Sequence, residues 1–379
     1  MPLRNNLKIL FRNIFKAKWK ISPPKKNKFV LVDGEYNPFL KYIKKKEMTI
    51  LYRRGEEVNL YILFRCFLKF KFSVLDYCNQ FIRHVSPKLI LTAFDYHIIF
   101  FKLSKKTGIK TLMLQKGQRG YSEEIISNSN YYFPKGSKKK FHVDYVFLFN
   151  ETIRKFYSKR ISGNFFEIGS FENNFNKFNY KKNKKKEIVF ISNYSHVSRN
   201  KCENEDIIAF HLYELAKKNN IPFKILPRYR TNPQFKKMEQ SLKEEINFYK
   251  KLIKGNFEFI LDKNKTSYEL LSKYRFIFTT YSTLASELLA KGFRGGFIMF
   301  KSKKNPIFSY RFGAFSKLKN KGIFWTSFNK LDIGEIKRVF NFVVKSKNKN
   351  WNKNLKFFRK KIMNFDDDNK KFKKIIKNL

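Results

Sequence analysis

A chain of 379 residues is long enough for two domains of ordinary size. Its 42% hydrophobic content and 45 phenylalanines exclude a disordered chain, and cysteines at only Cys66, Cys78 and Cys202 exclude a zinc cluster or a disulfide framework. Lys and Arg outnumber Asp and Glu by 82 to 30, a formal net charge of +52. That excess fits either a negative partner (phosphorylated sugar, anionic lipid or nucleic acid) or the Lys-, Asn-, Ile- and Phe-rich composition of very AT-rich coding DNA.

Three free thiols fit a reducing cytoplasm. No run approaches the ~18 consecutive apolar residues of a membrane span, and the N-terminus lacks the apolar core and cleavage site of a secretory signal. A cytoplasmic protein is expected, with a peripheral hold on the inner face of the cytoplasmic membrane left open. The reason is the lead segment, residues 1–24. In Leu3–Ile21, Leu7, Leu10, Ile14 and Trp19 are interleaved with Arg4, Lys8, Arg12, Lys16 and Lys20. Such a stretch reads as an amphipathic helix lying on an anionic leaflet, or as an ordinary surface helix docked by the same apolar stripe.

After Pro23-Pro24, strand-like runs alternate with helical ones, the mark of parallel α/β architecture. Strands are expected at Phe29–Asp33, Thr49–Tyr52, Leu89–Ala93, Thr111–Leu114, Tyr145–Phe149 and Phe165–Ile168, with helices such as Glu57–Lys71 and Asp76–His84 between them. The Asn- and Lys-rich run Phe171–Lys186 has no apolar periodicity and carries a linker, placed at 176–186. A second block follows, with strands at Glu187–Ser192, Phe223–Leu226, Phe257–Leu261, Phe276–Thr280, Phe297–Phe300 and Ile323–Trp325. Its helices are Asp206–Lys218, Glu239–Lys254, Tyr268–Lys273 and Thr283–Ala290. The expected fold is therefore α/β, two Rossmann-like domains (25–175 and 187–332) facing a cleft, followed by a basic helical region (333–379).

Open α/β sheets bind ligands just beyond the carboxyl ends of their strands. Asp33-Gly34-Glu35 and Arg53–Asn59, with Glu56, stand at such ends and suit substrate contact, though carboxylates also favour helix starts. Asp95 is the candidate general base for an attacking sugar hydroxyl, or a cap of the helix after it; His97 shares that role or simply packs. Gln115-Lys116-Gly117 makes a cleft loop, and Lys116 and Arg119 suit a phosphate or sugar carboxylate, or form a solvated basic turn. In the second block Arg228, with Arg230 as rival, is the candidate cation for a diphosphate, or plain surface charge.

The most informative stretch is Tyr274–Gly296, read as a buried strand, a hydroxyl-rich turn and a short helix stopped by Gly292. A strand running into a helix N-terminus frees the amides of Thr283, Leu284 and Ala285 for an anion, and the helix dipole points the same way. Tyr281, Ser282 and Thr283 line that turn, and Glu287 sits one turn on, where its carboxylate would take a ribose diol. No DxD pair follows a strand, since Asp366-Asp367-Asp368 lies in the terminal helical region as a solvated break. Transfer from a nucleotide donor without metal or other cofactor is expected.

The stretches RRGEEVNL (Arg53–Leu60), LTAFDYHIIFFKLSKK (Leu91–Lys106), LQKGQRG (Leu114–Gly120), EEINFYKKLI (Glu244–Ile253) and TTYSTLASELLAKG (Thr279–Gly292) follow one another in an order that resembles bacterial surface-carbohydrate (lipopolysaccharide or O-antigen) biosynthesis proteins. These are similar to GT-B glycosyltransferases and, more distantly, to capsule and teichoic-acid polymerases. The resemblance implies a cytoplasmic nucleotide-sugar-dependent transferase acting on a glycan or lipid-linked glycan, with acceptor contacts from the first domain and donor contacts from the second. It supports Ser282, Thr283 and Glu287 as donor ligands and Gln115–Gly117 as a cleft loop. Lys116 departs from the Asn or His of related sequences, and Pro227-Arg228 replaces an expected His-Pro element, so either Asp95 carries the chemistry or catalysis is lost. A polyol-phosphate transferase of the same fold, a non-catalytic scaffold and a polyanion binder are the alternatives. Specific nucleic-acid recognition lacks a motif.

Overall fold

The structure, a computed structural model, describes residues 17–34, 37–53, 56–95, 98–117, 141–176, 185–194, 203–229, 236–300, 315 and 318–379. Most of the lead segment (1–16), Glu35, Arg54-Gly55, His97, Arg119, Arg230 and most of the expected linker (177–184) lie outside the described residues.

The first domain is built on strands β1 (Lys18–Lys20), β2 (Phe29–Val32), β3 (Met48–Leu51), β4 (Glu57–Asn59), β5 (Leu89–Thr92), β6 (Lys110–Leu114), β7 (Phe141–Leu148) and β8 (Ile161–Glu167). Six of them form one parallel sheet in the order β3-β2-β5-β6-β7-β8. β2 and β5, FVLV and LILT, are buried along their whole length, as strands covered by helices on both faces must be. Helices α1 (Leu60–Phe67), α2 (Val74–Val85), α3 (Ile98–Thr107), α4 (Glu151–Tyr157) and α5 (Phe171–Phe175) connect or follow them. Side-chain oxygens of Asn59, Ser73, Asn150 and Ser170 cap four of these helices.

Three expectations give way here. Lys18–Lys20, the end of the supposed lead helix, is a strand paired with Glu57–Asn59, and Asn59 Nδ2 donates to the Ser22 carbonyl at 2.8 Å. The same pairing draws Glu57–Asn59 out of the helix expected from Glu57, which begins only where Asn59 caps it. Phe171–Phe175, at the head of the Asn/Lys-rich run, is a helix anchored by the buried Phe171 ring.

The second domain contains β9 (Lys185–Ile191), α6 (Glu203–Lys218), β10 (Phe223–Leu226), α7 (Lys236–Leu252), β11 (Glu258–Phe259), α8 (Ser267–Leu271), β12 (Tyr274–Thr279), α9 (Thr283–Ala290), β13 (Arg294–Phe300), β14 (Lys321–Gly322) and β15 (Trp325–Phe328). Its sheet runs β11-β10-β9-β12-β13-β15-β14, parallel except for β14 against β15. Strand order reverses between β2 and β5 in the first sheet and between β9 and β12 in the second, and ligands of such sheets bind at those switch points.

Three further helices follow, α10 (Ile333–Lys345), α11 (Asn348–Lys361) and α12 (Lys370–Lys377), of which α11 and α12 reach back to the first domain. Phe340 of α10 stacks on Phe278 of β12, centroids 5.8 Å apart. Phe372 of α12 crosses back to the first sheet, 4.9 Å from Phe171 and 6.1 Å from Phe147. The triplet expected as a solvated break makes this crossing: Asp368 Oδ1 accepts from Tyr42 Oη at 3.1 Å, and burial pushes that phenol up to about 12.

Candidate functional site

Where the two domains meet, the end of β6, the α5 segment, the start of α8 and the first turn of α9 enclose a cavity of about 620 Å³. Its walls include Gln115, Lys116 and Gly117 from one side and Thr283, Leu284 and Glu287 from the other, with Ser170, Glu172, Thr266 and Tyr268 between. That volume lies within the range of small-ligand pockets, ~300–1,000 Å³. The cavity adjoins the β9/β12 switch, where Asn193 Nδ2 donates to Thr280 Oγ1 at 2.9 Å.

Helix α9 spans Thr283–Ala290, as the sequence indicates, and Gly292 at φ +105° stops it. Ser282 holds the extended N-cap geometry, yet its side chain makes no capping hydrogen bond. The first amides of an α-helix have no partner within it, so this end offers N–H groups and the positive pole of the dipole toward the cavity.

Glu287 is 6% exposed. Tyr268 Oη donates to its Oε2 at 2.5 Å, and Asn173 Nδ2 donates to its main-chain oxygen at 2.7 Å. Burial raises its carboxyl to about 7; the Ser170 and Tyr268 hydroxyls oppose that rise, while the charge of Glu172 adds to it. Burial, then the Glu287 charge, push the Tyr268 phenol well above its ordinary value, so it stays a donor. A carboxylate poised near neutrality between two hydroxyls keeps acceptor capacity for further donors, such as a ribose diol.

The cleft loop is held from beneath. Gln115 is 1% exposed; Phe149 N donates to its Oε1 at 2.9 Å, and its Nε2 donates to the Gly117 carbonyl at 2.8 Å. Gln115 thus shapes the loop, while Lys116 is exposed at the cavity edge. Tyr281 and Ser282 lie in the turn beside the cavity, Tyr281 37% exposed.

Four candidates stand apart. Asp95 is fully buried, and Tyr157 Oη donates to its Oδ2 at 3.0 Å and to its carbonyl at 2.9 Å. Held by Tyr157 in this way, Asp95 stands outside the cavity lining. Asp33 is buried at φ +71° and held by Arg53, whose Nε lies 3.0 Å from Oδ1, so it locks two strand ends together. Glu56 is exposed, and its carbonyl accepts from Lys18 N at 3.0 Å at the foot of the β1–β4 pair. Arg228 sits at the end of β10, its guanidinium donating to the carbonyls of Asn193 and Tyr194 at 3.2 and 3.3 Å, near the switch point but outside the cavity lining.

Ser170, Glu172 and Tyr268 escaped the sequence reading. Tyr268 falls at the head of the expected helix Tyr268–Lys273, and the capping box Thr266-Ser267-Tyr268-Glu269, with Thr266 N donating to Glu269 Oε2 at 2.7 Å, starts that helix at Ser267, but nothing local marks the Tyr268 hydroxyl as a partner of Glu287. Glu245 was also missed: fully buried, it accepts from the amides of Arg228 and Tyr229 at 2.9 and 3.0 Å and fixes the loop after β10, with its carboxyl raised by burial.

Two α/β domains with parallel sheets meet at this cavity. Residues 112–379 match the family described as "putative O-antigen biosynthesis protein", and the chain belongs to that family. The match takes in LQKGQRG, EEINFYKKLI and TTYSTLASELLAKG, and leaves RRGEEVNL and LTAFDYHIIFFKLSKK outside it. No curated protein matches the sequence. Among solved structures, the wall teichoic acid polymerase TagF in a CDPG soak is similar at 13% identity and TM-score 0.49, over 100% of this chain and 97% of that one. The UDP-GlcNAc 2-epimerase from Neisseria meningitidis, bound to UDP-GlcNAc, is similar at 12% identity and TM-score 0.46, over 92% and 98%. The Gap123 glycosylation-associated complex from Streptococcus agalactiae is similar at 11% identity and TM-score 0.42, over 75% of this chain and 54% of that one. Similarity of this extent assigns neither ligand nor reaction. Among the described residues no helix is long and apolar enough to cross a membrane.

Proposed function

We propose that the protein is a GT-B-like glycosyltransferase moving a sugar from a nucleotide-sugar donor to a surface-glycan acceptor, without metal or other cofactor. The observation that carries this reading is the open N-terminus of α9 beside Glu287 in the interdomain cavity. The turn Tyr281–Thr283 and its amides would take the diphosphate, Glu287 the ribose, and Arg228 would add positive charge from the neighbouring strand end. Lys116 faces the acceptor side.

With Asp95 sealed, Glu172 is the carboxylate left in the cavity wall to draw a proton from the acceptor hydroxyl. Family membership supports a surface glycan as the acceptor's class. A thermal-shift screen against UDP-, GDP-, CDP- and dTDP-linked sugars tests the reading. A ligand at ~100 times its dissociation constant adds roughly 2.7 kcal/mol of stability. One nucleotide class should stabilise the wild type and fail with Glu287→Ala; stabilisation by none, or equally in the variant, would remove the donor site from this cleft.

A further inference from the structure

Helix α1 carries apolar side chains on two faces. Ile62 and Cys66 point into the core, while Phe64 and Phe67 are 59% and 62% exposed. Just beyond it, Phe70 is 83% and Phe72 is 73% exposed. Phe67 and Phe72 pack edge to face at 6.3 Å and wall a groove of about 530 Å³. Single exposed apolar residues are ordinary, but a contiguous aromatic cluster marks an interaction surface.

Phe70 is held at φ +51°, a backbone region that favours glycine or asparagine over a bulky ring. The fold gains little burial from that ring in return. From Leu60 to Leu75 the chain has Arg65, Lys69 and Lys71 and no acid. β1 packs against α1 and brings exposed Trp19, Lys20 and Ile21 to the same region. Of the nearest acids, Asp76 is engaged by Ser73 Oγ at 2.6 Å and by Lys106 at 3.6 Å, and Glu56 and Glu57 lie beside Lys18 at the start of β4, the end away from α1.

We infer that the Phe64–Phe72 knob, flanked by Lys20, Arg65, Lys69 and Lys71, docks the protein on an anionic bilayer. The rings enter below the headgroups and the lysines meet lipid phosphates. Aromatic points raised on a turn and surrounded by cations suit a soft, negatively charged interface. This inference stands independently of the donor reading.

Charge alone will draw so basic a chain to anionic vesicles, so the test reads insertion. Full-length F70W is mixed with phosphatidylglycerol/phosphatidylcholine vesicles, and its emission is compared with the wild type to isolate the new indole. The expected result is a blue shift and quenching by brominated acyl chains. F70G, which relieves the left-handed backbone, and a Phe67→Ser/Phe72→Ser pair should partition about tenfold more weakly or worse. A water-like indole on sedimenting protein, or unchanged partitioning of both variants, would overturn the inference. So would a wild type that ignores vesicles but forms a dimer abolished by F70G, because the knob would then cover a second copy.

Discussion

Replacing Glu287 by glutamine keeps the side chain's shape and removes its charge, and the consequence for stability has a definite sign. Burial holds the native carboxyl at about 7 against an ordinary 4.5. The folded state therefore binds this proton more tightly than the unfolded state. Its contribution to stability is full below about pH 4.5 and is lost as pH rises through 7, reaching about 3 kcal/mol by pH 8. Glutamine carries no such proton, and its amide still accepts from Tyr268 and faces Ser170. Glu287→Gln should therefore equal the wild type near pH 4.5 and exceed it by about 3 kcal/mol at pH 8. Urea unfolding at several pH values measures this directly. The same change should weaken nucleotide binding at pH 8 by about 10- to 100-fold, since a charge-assisted pair is worth roughly 1.5–3 kcal/mol. A variant less stable than the wild type by a pH-independent amount would show that burial does not raise the Glu287 carboxyl.

Glu172→Gln should lower turnover by about 10²–10⁴-fold while leaving nucleotide affinity at pH 8 nearly intact. By removing a like charge it should also shift the pH midpoint of nucleotide binding downward, readable by calorimetry. Arg228→Ala should weaken nucleotide binding by no more than about tenfold, because an exposed guanidinium outside the cavity acts only through a screened field; titration at low and high salt checks this. Glu245→Ala strips the shared acceptor from two main-chain amides and should cost about 2–4 kcal/mol by denaturant melt. Phe70→Gly should raise stability by about 1 kcal/mol by relieving the left-handed backbone, seen as a later urea midpoint.

Local signals served the fold well. β10 at Phe223–Leu226 and α9 at Thr283–Ala290 fall where expected, because a short apolar run and a Ser…Gly bracket act through near neighbours. Strand ends could be placed, but the direction a side chain takes beyond them could not. Asp95 stands at a strand end as read, and what seals it is Tyr157, 62 residues later in the chain. Ser170 reaches Glu287 only because the two domains meet, and Tyr268 only because α8 packs beside α9, and neighbouring residues say nothing of either contact. The strand at Glu57–Asn59 was hidden for the same reason, its partner being the lead segment taken for a helix. Charge misled at Asp366–Asp368, where an acidic triplet resembles solvent-facing sequence but Asp368 serves Tyr42 across 326 positions.

On the proposed function, the first turn of α9 holds the donor's diphosphate. Backbone hydrogen exchange with and without the nucleotide found in the thermal screen tests it most directly. Slowed exchange is expected at Tyr281–Glu287 and Thr266–Tyr268 only, and is expected to be lost in Glu287→Ala. Protection elsewhere in the chain, with Thr283, Leu284 and Ala285 exchanging as fast as before, would contradict it.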